Sequence, residues 1–481
     1  MAGSVSFKSL HILTISQLHH FTISYLCPMI PASIAFHHFG CKVNFAEASS
    51  ISRQFKEGGF LLKNYHEVAD IYVISSCVVT SVAEKKCRAA IHQAHKLNPN
   101  AKIAVIGCFP ELKPGELSKI EGVDLVLGNS SKYRLLEEII ELTSDYHGSP
   151  LNGELKTGMR AEPVNFLSHE ANAENAGRSI ASLEFIPSFS YGDRTRSFLK
   201  IQDGCDYYCS YCTIPLARGR SRSDTIEHVL DSAREIAANG AREIVLTGVN
   251  IGDFGRQHAE SLIQLLRALD KLDEPVRIRI SSLEPDLLSD EIIDVVSGSG
   301  KFMPHFHIPL QSGSDKILKA MKRKYNRDVY TGRVEKIKQL MPFACIAADI
   351  ITGFPGESDS DFDDTCNYLS KLPVSYLHVF TYSKRANTLA AGINITVPET
   401  VKKARSRTLH HLSDEKKSTF YLQNKGREVN VLFESDNTGG WMHGFSENYI
   451  KIKTRFNPLL SNRIMKVMLS ETDRDGVYTH E

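Results

Sequence analysis

The sequence predicts an α/β protein in three parts: an N-terminal open parallel α/β sheet, a central (β/α)6 partial barrel, and a small C-terminal antiparallel β barrel. Three observations carry this. Short apolar runs alternate with stretches of helical spacing over 33–128, and the alternation restarts at 196 and runs to 383. Turn-forming residues without periodicity fill 144–192 between them. After a charged helical stretch (398–422), the spacing shortens to strand-like runs broken by Asn, Asp, Gly and Ser. The 481 residues exceed one small core, and 42% hydrophobic with 23% charged residues is an ordinary globular balance.

In the first part, strands are expected at 33–38, 71–76, 102–107 and 124–128, with helices at 44–59 and 82–97. In the second, FLKIQD (198–203) is followed by a helix at 224–238. EIVLTG (243–248) and a helix at 260–271 come next, then RIRISS (277–282) and 288–297. HFHIPL (305–310) precedes helices at 314–321 and 327–340. CIAADIITG (345–353), a helix at 358–371 and YLHVFTYS (376–383) complete six strands. REVNVLFE, GWMHGFS, YIKIKTRF, NRIMKVMLSE and GVYTHE make the third part. The expected boundaries are 1–31, an extension; 32–145; 146–190, a linker with room for one strand; 191–421; and 422–481. Residues 1–28 read as an extension or an upstream start, because Gln17, His19 and His20 interrupt any signal-peptide core and Met29 offers a second start.

A formal net charge of +1 excludes global attraction to nucleic acid, so any basic surface is local. No run of 18 apolar residues offers a membrane span. Ten cysteines in a chain of this length do not read as a disulfide scaffold. Cys41, Cys77 and Cys108 each follow a predicted strand, at the edge where open α/β sheets place ligands. Cys205, Cys209 and Cys212 form C-x3-C-x2-C. Cys27, Cys87, Cys345 and Cys366 remain as small apolar packing residues.

Three thiolates can bind three irons of a [4Fe–4S] cluster and leave the fourth open to a small chelator with an amine and a carboxylate, which S-adenosylmethionine has. The competing reading is a zinc site with an unseen fourth ligand. Gly248 and Asn250 in LTGVNIGDFG, Gln311, Ser312 and Ser314 in HIPLQSGSD, and Gly353 and Gly356 in DIITGFPGES fall at the same barrel mouth.

With Tyr211 before its last cysteine, the nonapeptide GCDYYCSYC resembles the signature of the radical S-adenosylmethionine superfamily. That resemblance places Tyr211 near the cofactor's adenine and makes Gly248, Asn250, Gln311 and Gly353 cofactor-binding candidates. FGCKVNFAEAS, SSCVVTSVAEKKCR, IGCFPE, FLKIQDGCDYYCSYCTIPLARGRSRS, HIPLQSGSD and ITGFPGES together resemble bacterial methylthiotransferases from about residue 32 onward. GCKVN and IPLARGRSRS are most similar to the branch acting on N6-threonylcarbamoyladenosine at position 37 of tRNA; FHHFG departs from the usual residues before the first cysteine. The resemblance implies methylthiolation at C2 of that adenine. It implies two [4Fe–4S] clusters, one on Cys205, Cys209 and Cys212 and a sulfur-bearing one on Cys41, Cys77 and Cys108. It also implies S-adenosylmethionine, an electron donor such as flavodoxin or ferredoxin, a sulfur source, and a cytoplasmic location. Alternatives are isopentenyladenosine in tRNA, a ribosomal-protein side chain, or a non-catalytic RNA-binding iron–sulfur protein.

The terminal module resembles the TRAM domain, an RNA-binding barrel. Lys451, Lys453 and Arg455 alternate on one strand face, with Arg463 and Lys466 nearby and Trp441 and Tyr449 able to stack on bases. Arg218, Arg220 and Arg222 in ARGRSRS, and Lys402, Lys403, Arg405 and Arg407 ahead of the module, are further expected RNA contacts.

Overall fold

The computed structural model describes residues 32–144 and 184–480, apart from 79, 193, 275, 474 and 475. The expected extension and most of the linker lie outside the described residues. Strand β1 (Ser33–His38) leads into helix α1 (Lys42–Glu57), whose Val43, Ala46, Ile51 and Phe55 recur at helical spacing and are buried. The helix stops at Gly58, and Gly59 takes φ +86°, a left-handed turn open to glycine. Strands β2 (Leu61–Lys63), β3 (Ile71–Ser76), β4 (Lys102–Gly107) and β5 (Leu125–Leu127) complete a parallel sheet in the order β2-β1-β3-β4-β5. Helices α2 (Ser81–Leu97), α3 (Cys108–Leu112) and α4 (Leu135–Ser144) accompany it. The expected strands are present. β2 was not expected, because three residues on an exposed edge carry no readable period. Chain order reverses between β1 and β3, and such switch points are where sheets of this order bind ligands.

The second part opens with β6 (Ser188–Phe189), the one strand expected inside the linker, antiparallel to β7 (Arg196–Lys200). Helices α5 (Ile214–Arg218) and α6 (Ile226–Ala238) precede β8 (Glu243–Thr247). Then come α7 (Leu262–Asp270), β9 (Arg277–Ile280), α8 (Asp290–Gly298), β10 (His305–His307), α9 (Asp315–Ala320) and α10 (Arg327–Leu340). β11 (Cys345–Thr352), α11 (Asp359–Lys371) and β12 (Tyr376–Thr381) close the series. Ladders β9-β8-β7 and β10-β11-β12 are parallel, and bridges Ile278–Phe302 and Ser282–His307 join them. All six expected strands are therefore present in a partial barrel. Helix α1 lies on its open side: Ser50 Oγ is 3.1 Å from the Phe189 carbonyl oxygen, and Ala46 packs with Phe198 and Val245. The sheet of the first part thus delivers one helix into the second.

Helix α12 (Glu399–Asn424) leads to β13 (Glu428–Phe433), β14 (Trp441–Ser446), β15 (Lys451–Arg455), β16 (Ile464–Met468) and β17 (Tyr478–Thr479). Their order is β16-β13-β14-β15-β17. Pairing is antiparallel except that β15 and β17 run parallel, so the expected antiparallel barrel is a curled sheet with one parallel edge.

Candidate active site

Cys41 follows β1 as the N-cap of α1, Cys77 follows β3, and Cys108 opens α3 directly after β4. Gly40 takes φ +112°, and a Cβ there would lie 2.9 Å from the Cys77 Cβ, so only glycine lets these two turns meet. Asn44 Oδ1 is 4.0 Å from both the Cys41 and the Cys108 sulfur, while Asn44 Nδ2 donates to the Ser76 carbonyl at 3.0 Å. Asn129 Nδ2 donates to the Cys108 sulfur at 3.4 Å and to the Ala217 carbonyl at 2.7 Å. The three strand-end cysteines are therefore brought to one edge, against α5 of the second part.

The second trio occupies the loop between Asp203 and α5. Gly204 takes φ +69° because a Cβ would sit 1.9 Å from the Arg220 carbonyl oxygen. The amides of Tyr207 and Ile214 donate to the Cys205 and Cys212 sulfurs, each at 3.4 Å, and Arg323 Nη1 donates to the Cys209 sulfur at 3.0 Å. Donors aimed at sulfur suit thiolates. Burial pushes the three thiols up, Cys212 to about 12, so they hold their protons until a cation offsets the burial. A tetrahedral zinc with Zn–S near ~2.3 Å would draw sulfurs to roughly 3.8 Å apart. Among the described residues, only His307, Asp349 and His378 bring three metal-ligating atoms within 4.8 Å of one another. Neither cysteine trio is gathered that closely, and three thiolates per trio are the ligand set of a four-iron cluster with one iron left open. The donor set fits an iron–sulfur cluster.

A cavity of about 240 Å3 runs from Cys212 and Tyr211 past Gln311 and Asp349 to Phe380, and Thr80 of the first part lines it too. Gln311 is held at φ +68°, a strained conformation for a residue other than glycine, with its amide donating to the Asp349 carbonyl at 2.7 Å. Asn250 is buried beside this loop set; its amide donates to Gln202 Oε1 at 2.7 Å, and its own Oδ1 has no partner among the described residues. The two expected glycines are both required by packing. A Cβ at Gly248 would lie 2.8 Å from Ile251 Cγ2, and one at Gly353, at φ +72°, would lie 2.3 Å from Lys402 Cγ. Ser314 Oγ donates to Asp361 Oδ1 at 3.0 Å, and Ser312 is buried with it.

The expectation for ARGRSRS needs correction. Arg218 is 1% exposed, and its guanidinium donates to Glu47 at 2.9 and 3.1 Å, to Asp203 at 2.8 Å, and to Asn44. Arg222 is buried on Asp203 Oδ2 at 2.9 Å and on the Arg218 carbonyl. Both are spent inside the protein, so of the three only the exposed Arg220 is open to RNA. Lys132 and Lys200 also reach Glu47, at 2.5 and 2.9 Å, making one buried network across the junction of the first two parts. Likewise Lys402 and Arg405 are buried, Arg405 on Glu357 and Asp359, each at 2.6 Å; Lys403 and Arg407 stay exposed.

Lys451, Lys453 and Arg455 do share a face of β15, opposite Phe445, His443 and Trp441 of β14. The Arg455 guanidinium lies 4.3 Å from the centre of the Trp441 ring and the Lys453 ammonium 4.8 Å, with Lys453 also paired to Asp473. Tyr449 stacks on Phe445 at 4.8 Å, and its ring is engaged by His305 of the barrel at 4.5 Å, so it is not free to stack on a base.

Sequence reasoning did not single out Lys42, Thr80, Glu47, Asp349, His378 or Phe380. Asp349 and Phe380 lie in the last barrel strands, and the strand-end rule applied to YLHVFTYS would have found Phe380, which is 45% exposed toward the cavity. His307 Nε2 is 2.6 Å from Asp349 Oδ1, and Asp349 and His378 are register partners on β11 and β12. Burial, then the charges of Arg196 and Arg279, bring the Lys42 ammonium down to about 8.

Residues 33–128 match the description "Uncharacterized protein family UPF0004", and residues 199–369 match "Radical SAM superfamily". The threonylcarbamoyladenosine tRNA methylthiotransferase MtaB of Bacillus subtilis is 36% identical over 444 residues, 91% of this chain and 94% of that protein. Its counterpart from Aquifex aeolicus is 34% identical, over 87% of this chain and 96% of that protein. A tRNA-2-methylthio-N(6)-dimethylallyladenosine synthase from Methylacidiphilum infernorum is 31% identical over 84% of each chain. Among solved structures, the radical S-adenosylmethionine methyltransferase TsrM from Kitasatospora setae covers 73% of this chain and 75% of its own, with a TM-score of 0.49 and 15% identity.

Proposed function

Because the chain belongs to the threonylcarbamoyladenosine tRNA methylthiotransferase family, we propose that it places a methylthio group on C2 of N6-threonylcarbamoyladenosine at position 37 of tRNA. The observation that carries this reading is the pairing of two cysteine trios at strand ends across one junction, with Thr80 of the first part lining the cavity beside Cys212. Methylthiolation needs a radical site and a sulfur site in reach of one adenine, and a cavity lined from both parts, by Cys212 and by Thr80, supports that reading.

Radical S-adenosylmethionine membership implies one [4Fe–4S] cluster and S-adenosylmethionine; Cys205, Cys209 and Cys212 would hold that cluster. Cys41, Cys77 and Cys108 would hold a second. When bound, these groups supply the electron, the radical and the transferred sulfur. The chain's own residues do the rest. The amides of Tyr207 and Ile214 and the Arg323 guanidinium would support the first trio as thiolates once the cluster's irons offset their burial. Glu284, paired with Arg323, is pushed up to about 7 by burial, so it can keep a proton beside the trio near neutral pH. Tyr211 and Phe380 wall the cavity against bulk water, and Asn250 Oδ1 is left to accept a donor from the cofactor. The Glu47–Arg218 network fixes the first part on the second. The Lys451, Lys453, Arg455 and Trp441 face, with Arg220, would hold RNA phosphates and a stacked base.

No described helix is long and apolar enough to cross a membrane. The reading adds a cytoplasmic site of action, an electron donor of the flavodoxin or ferredoxin kind, and a separate source of replacement sulfur. Mass spectrometry of tRNA nucleosides from a deletion strain tests it: the 2-methylthio form should vanish and N6-threonylcarbamoyladenosine accumulate. Loss of a methylthiolated isopentenyladenosine or ribosomal peptide instead would move the substrate. Reduced, iron-replete protein that makes no 5′-deoxyadenosine would leave an RNA-binding iron–sulfur protein.

A further inference from the structure

Lys42 opens α1, next to Cys41, and shares a helix face with Ala46 one turn later. Ala46 is buried against Phe198 and Val245 of barrel strands β7 and β8, so this face of α1 looks into the barrel. Lys42 acts electrostatically on Asp349, His305 and His378, which come from three successive strands, β11, β10 and β12. The face of α1 that carries Lys42 is thus turned to the inner side of the barrel, the side on which Asp349 lines the cavity with Cys212 and Gln311.

The charged groups around it each have a partner of their own. Arg279 is held by Glu243 at 2.9 and 3.1 Å, Arg196 by Glu434 at 2.9 Å, and Asp349 by His307 at 2.6 Å. Lys42 has no hydrogen bond or ion pair among the described residues. Lys42 is only half-buried, so its ammonium, pinned by no carboxylate, can meet the anion of a ligand. The proposed substrate brings one. Its N6-threonylcarbamoyl group ends in a carboxylate, whereas an isopentenyl group carries no charge. With C2 turned to the cavity beside Cys212, the N6 substituent leaves the ring by another edge and can extend down the lumen.

We infer that Lys42 takes the carboxylate of the N6-threonylcarbamoyl substituent and so sets the preference for this charged adenosine over an uncharged one. The inference rests on the function proposed above. His378, open to the lumen, and the His307–Asp349 pair then line the same polar floor.

The test uses full-length, iron-replete protein and two anticodon stem-loop RNAs, one bearing N6-threonylcarbamoyladenosine and one bearing its methyl ester. Binding and methylthiolation are measured for both. Wild type should favour the free carboxylate by about tenfold or more, the effect of one hydrogen bond to a charged group. Lys42→Met should shrink that preference below about threefold, and Lys42→Arg should keep most of it. Iron content checks that Cys41, one residue away, still holds its cluster; if Lys42→Met loses iron, the wild-type comparison of the two RNAs decides alone. Equal treatment of both RNAs by wild type overturns the inference and leaves the function standing. So does full preference in an iron-replete Lys42→Met, or its loss only in His378→Ala. Modification of neither RNA overturns the functional reading and this inference with it.

Discussion

At the scale of single residues, the two cysteine trios make separable predictions. Cys212→Ala should remove about half the iron, one cluster of two, and end 5′-deoxyadenosine formation. Cys77→Ala should also remove about half the iron but keep reductive cleavage of S-adenosylmethionine, since its trio stands on another sheet. Iron analysis with product quantitation decides, and full iron in either variant removes that cysteine from the ligand set. Arg323→Met should lower the reduction potential of the radical cluster, because a guanidinium 3.0 Å from a ligand sulfur, on a side chain 2% exposed, stabilises the reduced, more negative state. A redox titration followed by paramagnetic resonance reads this directly; an unchanged potential would make Arg323 a partner of Glu284 alone. The cysteines were legible in the sequence because their positions after strands repeat. Arg218 was not. A basic run reads as a solvated face, and nothing near it in sequence announces Glu47, 171 positions away, as its partner.

At the scale of elements, the strongest reading was the α/β alternation, and helix α10 falls on its expected residues. What escaped were elements whose existence depends on a neighbour: β2 at a sheet edge, and β17, whose parallel pairing with β15 no local pattern encodes. The β14–β15 face carries its own prediction. Lys453 is already engaged by Asp473, so Lys451 and Arg455 are the cations more available to phosphate. Reversing both charges should weaken tRNA binding and flatten its salt dependence by up to about 0.7–0.9 unit of slope per lost phosphate contact. Iron content and RNA-free cleavage of S-adenosylmethionine should match wild type, and high tRNA should restore modification. An unchanged salt slope would shift the RNA contact to Arg220, Lys403 and Arg407.

At the scale of the whole molecule, the first two parts are joined by buried charge. Glu47, 2% exposed, meets Arg218, Lys132 and Lys200, and Asp203 takes Arg218 and Arg222. Burial alone would raise the Glu47 carboxyl; the charges of Arg218, Lys132 and Lys200 outweigh it and hold the carboxyl well below its ordinary range. Asp203 is depressed too, by Arg218 and Lys200 against the same burial. Such an arrangement is poor evidence of net stability, but breaking it is expensive, because the surviving charges stay buried. Glu47→Gln leaves Arg218, Lys132 and Lys200 with one carboxylate fewer, a loss of about 3–5 kcal/mol placed at the junction itself. The wild-type chain should therefore show its first two parts unfolding together in calorimetry, and Glu47→Gln should split off an earlier transition. Acid should mimic the substitution. A carboxyl whose folded pKa lies below its unfolded value, near ~4.3 for Glu, adds stability above that value and loses it as pH falls toward the folded one. Wild-type stability should hold from neutrality to about pH 5 and decline below it, while Glu47→Gln declines less over the same interval. On the proposed function the junction also aligns the two cysteine trios, so the variant should uncouple them before it unfolds: 5′-deoxyadenosine should still form while methylthiolated RNA falls. A single transition at an unchanged temperature, with coupling intact, would mean that the apolar contact of Ala46 with Phe198 and Val245 holds the parts together without the charges.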